Sequence, residues 1–136
     1  MFSHAIASFS VDDVDRARQF YTDVLGLAAT PGEMGTLTLR LPGGAEVLVY
    51  PKGEAHTPAS FTVLNLLVAD IDDAVAELTR RGVRFERYDG IEADDAGIAR
   101  DPGRGPAIAW FTDPAGNVFA VMQADDDAPP DPIGGA

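Results

Sequence analysis

Apolar and polar positions along this chain run through one order twice. From Phe2 to Ser10 they alternate as in a strand, with His4, Ile6 and Ser8 on one face and Ala5, Ala7 and Phe9 on the other. Val14, Ala17, Tyr21 and Val24 then recur at helical spacing. Asp12 or Asp13 offers a carboxylate cap and Gly26 a left-handed stop, so a helix is expected over roughly 13–25. After Thr30-Pro31-Gly32, two alternating segments, Thr36 to Leu41 and Glu46 to Tyr50, flank Pro42-Gly43-Gly44 and predict a hairpin. Polar residues 51–60, with His56 as a solvated loop residue, read as a linker.

The same order then returns. Phe61 to Val68 predicts a strand. Asp70 caps a helix that buries Ile71, Ala74, Val75 and Leu78 and ends at Gly82, and Val83 to Tyr88 reads as the next strand. Ala107 to Thr112 and Val118 to Gln123 form a second hairpin around Asp113-Pro114-Ala115-Gly116-Asn117. Between them, residues 89–106 are acidic and rich in Gly and Pro, the composition of either a binding lid or a mobile loop, with Asp94 and Asp95 in solvent. The equivalence is explicit in Val11-Asp12-Asp13-Val14-Asp15-Arg16-Ala17 and Val68-Ala69-Asp70-Ile71-Asp72-Asp73-Ala74, 57 residues apart. Two copies are too few for a solenoid. They predict one α+β domain over 1–123, built from a module at about 2–51 and another at about 60–123, with 124–136 as a disordered acidic tail.

Composition narrows the function. With 136 residues and 46% hydrophobic content the chain can bury a single core. A formal charge of -12 repels phosphate backbones and anionic lipid, which argues against nucleic acid or a membrane surface as partner. No apolar run approaches a membrane span and no signal-like segment opens the chain, so a cytoplasmic protein is expected. The absence of cysteine removes thiolate nucleophiles and thiolate metal sites.

Val11-Asp12-Asp13, Phe20-Tyr21, Leu25-Gly26-Leu27, the second Val-x-Asp-Ile-Asp-x-Ala, Arg81-Gly82-Val83 and Ala109-Trp110-Phe111-Thr112-Asp113-Pro114-Ala115-Gly116-Asn117 follow one another in an order that resembles the vicinal oxygen chelate superfamily. That superfamily includes glyoxalase I, extradiol dioxygenases and bleomycin-resistance proteins. The resemblance, over about residues 2–123, implies two βαβββ modules whose curved mixed sheets form a cavity, a homodimer, and in many members a divalent metal. In metal-dependent members the ligands lie on the first and last strands of each module. The resemblance carries those positions to Ile6, Val63, Ala120 and Leu48, or Val49 if the first hairpin slips by one. None of these can bind a metal.

Two readings follow. In the favoured one the protein is a metal-independent binding protein without a cofactor. It takes a small hydrophobic or aromatic molecule in an apolar cavity; the resemblance implies that Ile6, Leu48, Tyr50, Val63, Trp110, Ala120 and Met122 lie in or near such cavities, and possible resistance by sequestration follows from it too. Trp110 and Phe111 must face opposite sides of their strand, and the sequence leaves open which ring faces inward. The alternative is a glyoxalase- or dioxygenase-like enzyme acting on a small carbonyl or aromatic compound. It would use a shifted metal site at His4 and Glu46, or acid/base pairs such as His4 with Glu46 or Tyr88 with an acid of the 89–95 loop.

Overall fold

A computed structural model describes residues 1–101 and 105–124. The fold is α+β, with two four-stranded mixed sheets, each serving a βαβββ-like module. By its contacts the chain divides into two compact units, Met1–Val63 with Thr112–Val118, and Leu64–Phe111 with the chain from Phe119. The turn between the last two strands thus belongs to the first unit.

In the first unit, strands β1 (Ala7–Val11), β2 (Ala28–Pro31), β3 (Leu37–Arg40) and β4 (Glu46–Pro51) pair in the order β1-β4-β3-β2, with β1 parallel to β4 and the other pairs antiparallel. Alternation divides the sheet into two faces. Phe9, Val11, Leu37, Leu39, Val47 and Val49 are buried, as are Ala17 and Tyr21 of the helical segment. Tyr21 meets Phe9 edge to face at 6.4 Å. The opposite face carries Thr30, Thr38, Leu48 and Ser8 in one cross-strand row and Tyr50 beside Ser10 in the next.

Sheet pairing begins at Ala7, where Ala7 meets Val47, so β1 is shorter than the alternation from Phe2 suggests; His4 and Ile6 precede it and are exposed. Helix α1 (Val14–Gln19) also stops early and continues as a π turn over Phe20–Val24, where the Leu25 amide reaches the Phe20 carbonyl at 3.1 Å.

The second sheet holds β5 (Thr62–Val68), β6 (Phe85–Glu86), β7 (Ile108–Thr112) and β8 (Val118–Gln123) in the order β5-β8-β7-β6, and α2 (Ile71–Arg80) follows β5. Ile71, Val75, Ala109, Phe111, Phe119 and Val121 are buried in this unit, with Phe85, Phe111 and Phe119 in ring contact. The expected strand over 83–88 contracts to two residues, because the chain leaves β7 after Glu86 and rejoins it only at the Ala99–Ile108 bridge.

The duplication persists in the helix caps. Asp13, one of the two candidates, caps α1 by accepting from the amides of Asp15 and Arg16, and Asp70 caps α2 by accepting from Asp73. Their backbone angles nearly coincide, φ -131° and ψ 107° against φ -131° and ψ 103°. The far ends differ. Past Gly82 the Val83 amide bonds the Leu78 carbonyl, whereas past Gly26 the Leu27 amide bonds that of Tyr21, one residue wider. The π turn accounts for the extra residue. The expected tail lies outside the described residues except for Ala124, whose amide bonds the Val68 carbonyl. Among the described residues no helix is long and apolar enough to cross a membrane.

Candidate functional site

Hydrogen bonds at the two ends of the second hairpin fix its register: the Asp113 amide to the Asn117 carbonyl, and the Gln123 amide to the Ala107 carbonyl. Trp110 therefore lies opposite Ala120 and Ile108 opposite Met122. Glu86 pairs with Trp110 on the other side. Phe111 is fully buried and Trp110 only half-buried, so the indole takes the face away from the buried phenylalanines. There the Tyr88 ring meets it edge to face at 5.6 Å.

On this side of the second unit lies a cavity of about 720 Å³. Ile91, Ala99, Pro106, Ile108 and Trp110 supply its apolar wall, and Glu92, Arg100 and Asp101 its charge. That volume falls within the range of small-molecule sites. Part of the wall comes from the 89–101 segment, which is held by specific bonds. Asp94 accepts from the amides of Ala96 and Ile98, each at 3.0 Å, and its partner Arg100 also contacts Asp72 of α2. The bond from Ile98, helped by Ala96 and Arg100, holds the Asp94 carboxyl below its ordinary range. Beneath the segment, Ile98 and Ala99 are buried, and Gly97 at φ 95° allows a close approach to Phe85. Asp94 is accordingly an organising residue of the loop, a role that its acidic, Gly-rich surroundings did not indicate.

Burial raises the Tyr88 phenol above its ordinary pKa, and the nearby Glu86 carboxylate adds to the effect. The phenol stands beside the indole as a group able to donate and accept hydrogen bonds.

The predicted lining residues do not all meet at this cavity. Trp110 lines it, and its hairpin neighbours Ala120 and Met122 are respectively buried and half-buried. Val63 is half-buried on β5. Leu48 and Tyr50 share a face of the first sheet with Ser8, Ser10, Thr30 and Thr38, so that wall is rich in hydroxyls. Ile6 stands clear of the strand with 55% of its surface exposed.

Among the described residues the donors do not fit a metal centre. Among the described residues no three His, Cys, Asp or Glu side chains group closely enough to hold an ion. His4 and Glu46 are both exposed, and the residues at the family's ligand positions are aliphatic.

A buried polar cluster in the first unit was not anticipated. Tyr21 donates to Asp113 Oδ2 at 2.6 Å, and the same carboxyl accepts from the amides of Ala115 and Asn117 and from Asn117 Nδ2. Desolvation raises the Asp113 pKa, with those four donors opposing it; burial, then the charge and hydrogen bond of Asp113, raise that of Tyr21 far above the ordinary phenol value. His56, expected in solvent, is half-buried and bonded through both ring nitrogens, Nδ1 to Ser10 Oγ at 2.8 Å and Nε2 to the Ala115 carbonyl at 2.9 Å. Its separation from both partners in sequence left no local signal.

The fold and this family-model match agree: residues 2–121 match the Glyoxalase/Bleomycin resistance protein/Dioxygenase superfamily, and the chain belongs to it. Among solved structures it is similar to TnmS3, an antibiotic-binding protein from Streptomyces sp. CB03234, with 26% identity and a TM-score of 0.62 over 92% of this chain and 99% of that one. A superfamily member from Sphaerobacter thermophilus is 25% identical, with a TM-score of 0.67 over 91% of this chain and 100% of the other. Lactoylglutathione lyase from Agrobacterium tumefaciens shares the fold at 20% identity and a TM-score of 0.64, over 91% and 96% of the two chains. No curated protein matches the sequence.

Proposed function

We propose that this chain is a metal-independent binding protein for a small, planar hydrophobic or aromatic molecule, acting by sequestration. The observation that carries the reading is the cavity beside Trp110, where an indole and aliphatic side chains stand next to a small number of charged groups. Flat apolar surface supplies affinity, and a few polar atoms supply orientation. The 89–101 wall is bonded in place through Asp94 and Arg100, so a ligand meets a largely ordered site and less of its binding energy goes into ordering the loop. The antibiotic-binding character of TnmS3 supports an antibiotic-like ligand and a role in resistance.

Ligand-dependent thermal stabilisation tests this. In a screen of two- and three-ring aromatics, a hit should raise the melting temperature progressively, following the logarithm of its concentration above its dissociation constant. It should also perturb the fluorescence of the chain's single tryptophan. A screen in which no compound does either would sink the reading.

The same reading makes the protein a homodimer. Phe2, Ile6, Phe61 and Leu67 are large apolar side chains left exposed in the single chain, and a second copy would cover such surface. Light scattering should return twice the chain mass of 14.3 kDa. A monomeric mass at micromolar concentration would remove this part of the proposal and leave the cavity standing.

A further inference from the structure

The bonds around His56 determine which ring nitrogen carries the proton. A carbonyl oxygen only accepts, so Nε2, 2.9 Å from the Ala115 carbonyl, bears hydrogen. In the neutral ring Nδ1 is then a bare lone pair, 2.8 Å from Ser10 Oγ, and the serine hydroxyl is the donor. This is the arrangement of a nucleophile, a base within hydrogen-bond reach, and a third group orienting the base.

The parts are held from several sides. Asn117, buried, donates from Nδ2 to the Ser10 carbonyl at 2.8 Å and accepts from the Ala59 amide at 3.0 Å, so one side chain secures both β1 and the segment after His56. Asp113 fixes Asn117 in turn. Ser10 shares its sheet face with Ser8 and Tyr50 and keeps part of its surface exposed.

We propose that Ser10 and His56 form a nucleophile and general-base pair that accepts acyl groups from activated esters. Oγ bonds to the acyl carbon as its proton passes to Nδ1. The ester C–O bond then breaks, and the leaving oxygen departs as its anion or takes that proton. The products are an O-acyl serine and the free alcohol or phenol, with no oxidation or reduction. Hydrolysis would need a water to attack the acyl carbon as its proton passes to the same Nδ1; the acyl–Oγ bond then breaks, that proton returns to Oγ, and the carboxylic acid is released.

The test is acetylation of the full chain by p-nitrophenyl acetate, followed by peptide mapping against Ser3, Ser8 and Ser60, with a urea-unfolded sample as reference. Ser10 should acquire acetyl at least ~100-fold faster than the other serines, at the lower end of what a positioned general base supplies. Ser10→Ala should abolish the adduct, and His56→Gln should bring Ser10 down to the reference rate. The proposal is overturned by uniform labelling of the serines, by acetyl found on His56 in place of Ser10, or by a Ser10 rate that ignores the His56 substitution. Should His56→Gln fail to fold, His56→Asn takes its place, and the wild-type map against the urea-unfolded reference still decides by itself whether Ser10 is singled out or the serines label uniformly.

Discussion

Tyr21 and Asp113, 92 residues apart in sequence, are joined inside the first unit by a 2.6 Å hydrogen bond from the phenol to the carboxylate. The bond ties the π turn to the turn between β7 and β8. Both groups are buried, and removing the phenol leaves Asp113 Oδ2 with only the longer 3.3 Å bond from Asn117 Nδ2.

Tyr21→Phe should therefore cost about 1.5–3 kcal/mol, the usual worth of a hydrogen bond to a charged group. Urea unfolding at neutral pH measures it. The pH dependence has a definite sign. The folded-state phenol pKa is raised, so its stabilising contribution is complete below the unfolded value near ~10 and declines as pH rises above it. The wild type should lose more stability between pH 9 and pH 11 than the phenylalanine variant does. Equal losses would mean that the phenol ionises as readily in the fold as in the unfolded chain. Asp113, also raised, acts the same way at acid pH: its contribution is complete below ~3.9 and fades as pH climbs through the folded value.

The first hairpin and both caps were legible because each is local. Asp13 and Asp70 each lie three residues before an amide they bind, Gly82 follows the end of α2, and Gly26 follows the π turn that continues α1. The site was less legible. Alternation fixed Trp110 and Phe111 to opposite faces, but choosing between the faces needed the burial of Phe111. His56 and Asp113 are polar residues in segments of turn-like composition, and they reach Ser10 and Tyr21, 46 and 92 residues away, only in the folded chain, whereas Asp94 binds amides two and four residues on within an equally turn-like segment. The hydroxyls on the face of Leu48 and Tyr50 were present in the alternating Ser8, Ser10 and Thr38.

Gly97 has φ 95°, and a Cβ there would lie 2.8 Å from Phe85 Cβ. Gly97→Ala combines a left-handed backbone that favours glycine with a contact neither atom can easily relieve, since both are anchored at the main chain. A destabilisation of about 1–3 kcal/mol is expected. A cavity ligand identified by thermal shift should also bind the variant more weakly, because the displaced backbone adjoins Ala99 of the wall. Undiminished stability would show that the 89–101 segment is free to move away from Phe85.

Elemental analysis of protein purified without chelator, with a melting titration of nickel, zinc, manganese and ferrous ions, should find no stoichiometric metal and no saturable stabilisation. EDTA should leave the melting temperature unchanged. The reason lies in the donors: structural and catalytic sites take at least three side chains, and among the described residues no such group exists. One bound equivalent per chain would overturn the metal-independent reading and direct assays toward glyoxalase and dioxygenase chemistry.

Trp110→Ala and His4→Ala together distinguish the two candidate sites. The indole forms part of the cavity wall, is opposed by Ala120 and Glu86, and meets Tyr88 at 5.6 Å; truncation removes the flat surface on which an aromatic ligand would lie. Loss of a central aromatic anchor costs at least about 2 kcal/mol, so a hit from the aromatic screen should bind some ~30-fold more weakly by calorimetry. His4→Ala, at an exposed residue before β1, should leave that affinity unchanged. The reverse order would move the ligand to the first strand and remove the cavity beside Trp110 from the mechanism of binding.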